Sequence, residues 1–321
     1  MELPAPLRAA LDRALDGHSI GALASAGSTL SRRYRAETRD GRLHLADEAA
    51  ALAYLATRMP ATFSAVRRAL IETAGRAPGF SPRTLLDVGA GPGTVLWAAS
   101  DVWQTLDHAR LVEASRAIRA CGEGLAQGGD LPERVWIDGR AEEALGDAQP
   151  ADLVTLAYVL DELDEAARGR LVARLWALTR DMLVLVEPGT PAGWGRILAA
   201  REALLADGAH MIAPCAHALS CPIEAPDWCH FAERLARSRA HRLAKGAEAP
   251  YEDEKFIFLA VSRRPHDGPA ERILARPQAG SGKVRLKVCA PDGSARTLLV
   301  TRRDGERFKA ARRADWGDSL D

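Results

Sequence analysis

The sequence predicts an α/β fold with a doubly wound, parallel central sheet. Short apolar segments typical of buried strands alternate with helical segments between residues 84 and 205. A glycine-rich turn follows the first of these strands, and a carboxylate, Glu113, ends the second. Because such sheets bind ligands beyond the carboxyl ends of their strands, we expect the main site at that edge.

The composition is that of a globular protein. The chain has 321 residues, 47% of them hydrophobic and 27% charged, which is ample to bury a core. No apolar segment approaches the ~20 residues needed to span a bilayer. The first residues lack the basic start and apolar stretch of a signal peptide, and Asp12 and Asp16 argue against a transit peptide. We therefore expect a cytoplasmic protein with no membrane partner.

The strand and helix pattern divides the chain into five segments. They are an N-terminal helical region (1–80), a core (81–206), a cysteine-rich metal-binding insert (207–250), a late core strand (251–265) and a basic C-terminal β region (266–321). Core strands are predicted at 84–88, 110–113, 134–137, 152–159, 182–186 and 255–261. Residues 263–282 are expected to be a linker, and residues 283–302 a β-hairpin that turns at Pro291-Asp292-Gly293.

The glycine-rich turn after the first strand predicts a nucleoside-bearing ligand. Asp87 precedes three glycines, Gly89, Gly91 and Gly93, spaced G-x-G-x-G rather than the G-x-G-x-x-G of a dinucleotide site. Glycine lets the backbone turn sharply and approach a ligand, at the positive end of a helix. The turn resembles the first motif of class I S-adenosylmethionine-dependent methyltransferases, which implies S-adenosylmethionine as cofactor.

Two further carboxylates are candidates for that cofactor. Glu113 ends the second strand, where a carboxylate can accept both ribose hydroxyls. Many methyltransferases carry an acid after the third strand that meets the adenine amino group, and Asp138 could serve here. In the commonest alignment Arg140 takes that place instead, so the sequence leaves the adenine contact open.

The end of the fourth strand offers the catalytic candidates, Asp161 and Glu162. Enzymes that methylate nucleic-acid amines often have Asn/Asp-Pro-Pro-aromatic at this point, and that motif is absent. The two acids could hold a substrate or act as a base. They could equally stabilise the dipole of the helix that follows. The sequence identifies no catalytic residue beyond these two candidates.

Three of the five cysteines fall within 15 residues and suggest a metal site. Cys215, Cys221 and Cys229 are spaced C-x5-C-x7-C, and Cys289 lies far downstream. Structural zinc sites usually use tighter pairs, so these spacings leave zinc and a [4Fe–4S] cluster both open. His217 and His230 are alternative ligands. The remaining possibilities are four unliganded cysteines and, for Cys121, an ordinary buried thiol.

The net charge of zero is unevenly distributed. Residues 231–321 hold 20 Lys and Arg against 13 Asp and Glu, a net charge of +7. Such a basic end favours a polyanionic partner, although a solvated basic surface is also possible. Two groups carry the excess, one in a predicted helix and one near the end: Arg234, Arg237, Arg239, Arg242 and Lys245, then Arg302, Arg303, Arg307, Lys309, Arg312 and Arg313.

Several stretches together identify a family. They are 85–94, 187–191 (Glu-Pro-Gly-Thr-Pro), 213–215, 221–222, 228–231 (Trp-Cys-His-Phe) and 251–256 (Tyr-Glu-Asp-Glu-Lys-Phe). The chain resembles the methyltransferase-like family of mitochondrial small-ribosomal-subunit assembly factors and their bacterial homologues, from about residue 31 to 318. Of its motifs, the cysteine block beside Tyr-Glu-Asp-Glu-Lys is specific and the glycine turn is not.

The resemblance implies a class I methyltransferase core with an inserted metal module. Cys215, Cys221, Cys229 and Cys289 match the family pattern for a [4Fe–4S] cluster. The implied partner is the maturing small ribosomal subunit and its rRNA, on which the protein would act as a methyltransferase, an assembly factor or both. Two alternatives stay open: a non-catalytic assembly and iron-sensing protein on a retained fold, and a small-molecule methyltransferase with a zinc module.

Overall fold

The computed structural model describes residues 2–38, 40, 43–266 and 270–320. Four helices come first, as the sequence predicts for residues 1–80: α1 (Ala5–Leu15), α2 (Ile20–Arg35), α3 (Glu48–Thr57) and α4 (Met59–Arg76). Ser19 and Asp47 cap α2 and α3 by accepting backbone N–H bonds. Within the described residues, no helix is long and apolar enough to cross a membrane.

The core alternates strands and helices. Its elements are β1 (Thr84–Val88), α5 (Thr94–Val102), β2 (His108–Glu113), α6 (Arg116–Ala126), β3 (Glu133–Asp138), α7 (Ala141–Ala144), β4 (Ala151–Ala157), α8 (Glu165–Ala177), β5 (Thr179–Pro188), α9 (Pro191–Ala206), β6 (His210–Ala213), β7 (Phe231–Ala236), α10 (Arg239–Lys245) and β8 (Tyr251–Ser262). A single 3₁₀ turn, Leu160–Glu162, lies between β4 and α8. Each core strand predicted from the sequence falls on one of these strands.

One eight-stranded sheet organises the core, in the order β3-β2-β1-β4-β5-β8-β6, with β7 also paired to β8. The first five strands in this order are parallel, and β8 is antiparallel to β5. The winding reverses between β1 and β4, and right-handed crossovers therefore place helices on both faces. This topology confirms the predicted class I methyltransferase fold.

The C-terminal region forms a second, smaller sheet. It contains β9 (Glu271–Ile273), β10 (Gln278–Gly280), β11 (Lys283–Cys289), β12 (Ala295–Thr301) and β13 (Ser319–Leu320), with α11 (Glu306–Arg313) before the last strand. The predicted hairpin is present as the antiparallel pair β11 and β12. The expected linker at 263–282 instead supplies β9 and β10, because its short apolar run pairs with β11 and β13.

The prediction of one basic helix around residues 234–245 is wrong. Arg234 lies on β7, where it faces Asp253 of β8 and forms a two-pronged ion pair with it. The helix α10 begins only at Arg239, because the Ser238 side chain caps it by accepting the N–H of His241 at 3.1 Å. Arg234 and Arg242 therefore share no helix face.

Candidate functional site

The glycine-rich turn closes tightly over the second strand. The N–H groups of Gly89 and Ala90 both donate to the carbonyl of Val112, at 2.9 and 3.0 Å. Gly89 has a φ of +68°, and a Cβ there would lie 2.3 Å from Val159 of the next strand exit. Gly91 has a φ of +55°, and a Cβ there would meet nothing within 4 Å. Only glycine fits the first position, and the second leaves open space for a ligand.

Glu113 holds this turn in place. Its Oε2 accepts the N–H of Gly91 at 2.9 Å, and its Oε1 accepts the N–H of Ser115 at 2.7 Å. Burial raises the pKa of Glu113, and these backbone donors oppose that effect. The predicted ribose-binding carboxylate therefore also fixes the geometry of the glycine turn.

Asp87 lies buried beneath the turn. One oxygen, Oδ1, accepts the hydroxyl of Thr155 at 2.7 Å. The other, Oδ2, is buried and has no hydrogen-bond partner among the described residues. Burial raises the pKa of Asp87 to about 7, and Glu113 adds to the shift. An unsatisfied buried carboxylate oxygen is costly, and a ligand donor near it would offset that cost.

A cavity of about 900 Å³ opens between the ends of β1 and β4 and the N-terminal helices. Of the predicted cofactor residues, Gly89, Gly91 and Glu113 line it, and so do both catalytic candidates, Asp161 and Glu162. The cavity wall does not include Asp87, Gly93 or Asp138. The volume lies in the range of small-molecule and cofactor sites, and its place at the strand switch point is where such sheets bind ligands.

Asp138 points away from this cavity. Its side chain is 72% exposed and pairs with Arg119 at 2.7 Å, which lowers the pKa of Asp138. The neighbouring residues Gly139 and Arg140 line the wall instead. The structure thus places Arg140, and not Asp138, at the wall of this cavity.

The two catalytic candidates lie next to each other at the cavity, where Asp161 is buried and Glu162 is exposed. Desolvation at the cavity wall together with Asp161 raises the pKa of Glu162 to about 8. Glu187 lies beside them; its Oε2 pairs with Arg196 at 2.7 Å, and burial raises its pKa to about 7. The N-terminus of α8 is capped by Asp164 instead, whose Oδ1 accepts the N–H of Ala167 at 2.8 Å. Asp161 and Glu162 are therefore not needed to stabilise the N-terminus of α8.

Aromatic and basic residues that the sequence did not single out line the rest of the cavity. Three of the four tyrosines are there, Tyr34, Tyr54 and Tyr158. Arg58 and the hydroxyl of Tyr158 both reach Oε1 of Glu254, at 3.5 and 3.4 Å. Glu254 belongs to the Tyr-Glu-Asp-Glu-Lys stretch, so that motif is the feature of the sequence that could have indicated these contacts.

The four predicted metal-binding cysteines meet at a second cavity. It measures about 30 Å³ and is lined by Cys215, Cys221, Cys229 and Cys289, together with His217. The Nε2 of His217 lies 3.4 Å from the Cys289 sulfur. The predicted alternative ligand His230 stacks on Trp228 at 4.9 Å between ring centroids, and neither His230 nor Cys121 lines the cavity.

The thiols are close enough to influence one another. Burial raises the pKa of Cys229 well above its usual value, and Cys215, Cys221 and Cys289 each raise it further. Burial and Cys215 raise the pKa of Cys289 to about 11. Even so, in the part of the chain described, no three His, Cys, Asp or Glu are arranged to hold a single metal ion.

The solvent face of the small sheet is basic. Along β11, exposed Lys283 and Arg285 alternate with buried Val284, Leu286 and Val288, which pack on Phe308 of α11. Neither Lys283 nor Arg285 forms an ion pair within the described residues, whereas Lys287 pairs with Asp227. Of the predicted basic tail residues, Arg307 pairs with Glu271 at 2.5 Å and Lys309 with Glu306 at 2.6 Å.

Comparison with known proteins gives a consistent result for most of the chain. A family described as mitochondrial small ribosomal subunit Rsm22 matches residues 48–321. The human ribosome assembly protein METTL17, mitochondrial, is 32% identical over 295 residues, which cover 85% of this chain and 63% of that protein. The Rsm22-cox11 tandem protein 2, mitochondrial, of Schizosaccharomyces pombe is 24% identical over 325 residues, covering 83% of this chain and 42% of that protein.

Among solved structures, the magnesium protoporphyrin IX methyltransferase of Synechocystis PCC 6803 with bound SAH is similar, at 12% identity and a TM-score of 0.43. The match covers 74% of this chain and 95% of that chain. The chain spans 63% and 42% of the lengths of the two named relatives. The cytoplasmic location predicted from the sequence is wrong by these comparisons, because the family and both relatives are mitochondrial by name.

Proposed function

Because the chain belongs to the Rsm22 family of mitochondrial small ribosomal subunit proteins, we propose that it acts on the small ribosomal subunit during its assembly. In this proposal it binds S-adenosylmethionine, carries a [4Fe–4S] cluster and contacts rRNA, as a methyltransferase, an assembly factor or both. The observation that carries the proposal is the cavity of about 900 Å³ at the strand switch point, beside a glycine turn that leaves space for a ligand.

The residues around that cavity fit S-adenosylmethionine. Glu113 would accept the ribose hydroxyls, and Gly91 would allow the methionine part to approach the backbone. The carboxylates of Glu162 and Asp161 suit a ligand that carries a sulfonium and an ammonium group. The chemistry that the cofactor would supply is a transferable methyl group.

The cysteine cavity supports a site with four sulfur ligands, because all four cysteines line it. Tetrahedral sulfur suits a [4Fe–4S] cluster, which attaches each thiolate to a different iron. Cys215, Cys221, Cys229 and Cys289 would hold it.

The basic face of the small sheet supports RNA as the partner. Lys283 and Arg285 project from β11 without carboxylate partners in the described part of the chain, so both charges are available to phosphates. Exposed Leu299 lies opposite Arg285 on β12, and such a mixed surface can meet phosphate and sugar. Contacts of this kind give affinity without choice of sequence.

The deciding experiment is methyl transfer from labelled S-adenosylmethionine to small ribosomal subunits from cells that lack this protein. The chain is purified anaerobically, with Gly91→Val as the control. Label in the rRNA that the control loses supports a methyltransferase. If the chain binds subunits and holds its cluster but transfers no label, the assembly-factor form of the proposal stands. Failure to co-sediment with small subunits at moderate salt would contradict both forms.

A non-catalytic role is the second candidate, and one observation favours it. Arg140 lines the cavity where the adenine contact would be, and Asp138 faces solvent. A chain that binds the cofactor weakly could still serve as an assembly and iron-sensing protein. The third candidate, a small-molecule methyltransferase with a zinc module, requires zinc rather than iron and sulfide in the anaerobically purified protein, and activity without RNA affinity.

A further inference from the structure

Two buried arginines lie at the cysteine cavity. Arg201 of α9 and Arg272 of β9 both line it, and each is only 3% exposed. Charged side chains are almost never so deeply buried unless they are paired. Their presence beside four cysteines therefore requires an electrostatic explanation.

The charge of Arg272 is compensated. Its Nη1 pairs with Oε2 of Glu72 at 2.5 Å, and its Nε donates to the carbonyl of Pro214 at 2.9 Å. Nη1 also donates to the carbonyl of Gly317. One guanidinium thus joins α4, the cysteine loop and the C-terminal region, and Glu72 supplies the countercharge.

Arg201 differs in this respect. Its Nη2 donates to the carbonyls of His217 and Leu219, at 2.9 and 2.6 Å. Its Nε is buried and has no hydrogen-bond partner among the described residues, and no ion pair there links it to a carboxylate. A buried positive charge without an anion costs several kcal/mol of stability. A negatively charged group in the adjoining cavity would remove that cost.

A cluster ligated by four thiolates is such a group. The four ligands contribute four negative charges and an oxidised [4Fe–4S] core contributes two positive charges, so the assembly is a dianion that becomes a trianion on reduction. A nearby positive charge stabilises the trianion more than the dianion, and it therefore raises the reduction potential. A carboxylate paired with the positively charged side chain weakens this increase in reduction potential.

We infer that Arg201 is a positioning residue that compensates the charge of the group held by the four cysteines and, with Arg272, raises its reduction potential, while Glu72 attenuates the contribution of Arg272. This inference rests on the proposed cluster. It assigns opposite effects to two side chains near one cavity. A purely structural role for either residue would not produce that pattern.

The test compares reduction potentials of the full chain, purified anaerobically, by titration followed with electron paramagnetic resonance. Arg201→Gln removes a positive charge and keeps an amide donor for the loop carbonyls. Glu72→Gln removes a negative charge. The matched control is Arg263→Gln, because Arg263 also donates to two backbone carbonyls, those of Thr179 and Trp176, and does not line the cysteine cavity.

We expect Arg201→Gln to lower the potential, Glu72→Gln to raise it, and Arg263→Gln to leave it unchanged. Arg201→Gln should also release iron to a chelator about tenfold faster, as the loss of an outer-shell partner does at metal sites. Shifts of the same sign in Arg201→Gln and Glu72→Gln, or none beyond the control, would overturn the inference. If Arg201→Gln does not fold, Glu72→Gln alone must raise the potential.

Iron and sulfide analysis of the wild-type chain separates this inference from the proposal beneath it. A wild-type chain with neither iron nor sulfide would overturn the proposed cluster, and the inference with it. A wild-type chain with both, combined with unchanged potentials in the variants, would overturn only the role of the arginines.

Discussion

The two cavities of this protein differ in size and in the charges that line them. The larger, about 900 Å³, lies between the strand ends and the N-terminal helices and is lined by carboxylates, among them Glu113 and Asp161, and by basic side chains, among them Arg58, Arg140 and Arg196. The smaller, about 30 Å³, lies between α9, the cysteine loop, β8 and the small sheet, and is lined by four thiols and two buried arginines. The larger cavity presents charged groups of both signs, whereas the smaller presents two cations and, among the described residues, no carboxylate.

That difference indicates which ligand each cavity suits. Mixed charges in the larger cavity suit a ligand with both cationic and anionic groups, such as an amino acid with a sulfonium group. Buried arginines, with no carboxylate in the wall that the described residues form, favour an anionic ligand. The cavities also differ in how they are built. Chain segments adjacent to the core sheet form the first, whereas the second needs Cys289 from the distant small sheet. Binding at the second should therefore be coupled to folding.

The largest effect is expected at the cysteine cavity. Cys229→Ser removes a ligand that three other thiols approach, so we expect the iron content to fall to near zero. Because the proposed cluster would join two sheets, the free energy of unfolding should fall by more than about 4 kcal/mol, and the segment 207–250 should become sensitive to protease. Iron analysis, chemical denaturation and limited proteolysis of the anaerobically purified chain measure these changes.

Cys121→Ser is the matched control, since Cys121 lies on α6 and does not line the cavity. It should keep its iron and its resistance to protease. If Cys229→Ser retained full iron content, the proposed ligation would be wrong.

The next largest effect is expected in the glycine turn. Gly91→Val places a side chain in the open space above the turn and should weaken S-adenosylmethionine binding about 100-fold, or ~2.7 kcal/mol, in calorimetry. Gly208→Val carries the same backbone strain, because Gly208 has a φ of +79° with nothing within 4 Å, and it lies outside the cavity. An equal loss of S-adenosylmethionine affinity in both variants would show that backbone strain, and not a side chain in the binding site, causes the effect.

A smaller effect is expected on RNA affinity. The double variant Lys283→Gln, Arg285→Gln should weaken binding to RNA of any sequence and reduce the slope of log affinity against log salt by about 2. The control, Arg8→Gln with Arg170→Gln, removes the same charge from helices α1 and α8. Filter binding at several salt concentrations measures both slopes. Identical slopes in the two double variants would show that the small sheet is not the RNA surface.

The sequence allowed the central architecture to be predicted, because parallel strands are short apolar runs and the glycine turn follows the first of them. The resemblance of the sequence to its family also grouped the four cysteines that line one cavity. The sequence did not predict the contact of Arg58 with Glu254, whose partners are 196 positions apart in the chain, nor the cavity position of Tyr158. Such contacts depend on tertiary packing, which leaves no local pattern.

The prediction of a helix around Arg234 was wrong for a different reason. Arginines spaced three apart suit a helix face, but here one of them lies on a strand, opposite an acid of the Tyr-Glu-Asp-Glu-Lys stretch. Pairing between β7 and β8 determines the local structure here, because it places Arg234 beside Asp253, with which it forms an ion pair. Likewise, Asp138 followed the expected strand, but pairing with Arg119 turned it away from the cavity.

The smallest expected effect concerns the stability contribution of Glu162, which lines the larger cavity. Desolvation at the cavity wall and Asp161 raise the pKa of Glu162 to about 8, far above its usual value, so the folded state keeps a proton that the unfolded state releases near pH 4.5. This contribution to stability is complete below pH 4.5 and is lost as the pH rises through 8. Glu162→Gln should match the wild type near pH 5.

By pH 9, Glu162→Gln should be more stable than the wild type by at most about 1 kcal/mol in urea unfolding without cofactor, because solvent screens the exposed Glu162 side chain. Asp161→Asn should reduce this pH dependence, because it removes the charge that opposes ionisation of Glu162. A saturating cationic cofactor should diminish the advantage of Glu162→Gln, since its positive charge would stabilise the ionised carboxylate. If Glu162→Gln were instead less stable than the wild type at pH 9, Glu162 would be held as an ion by a cation such as Arg140.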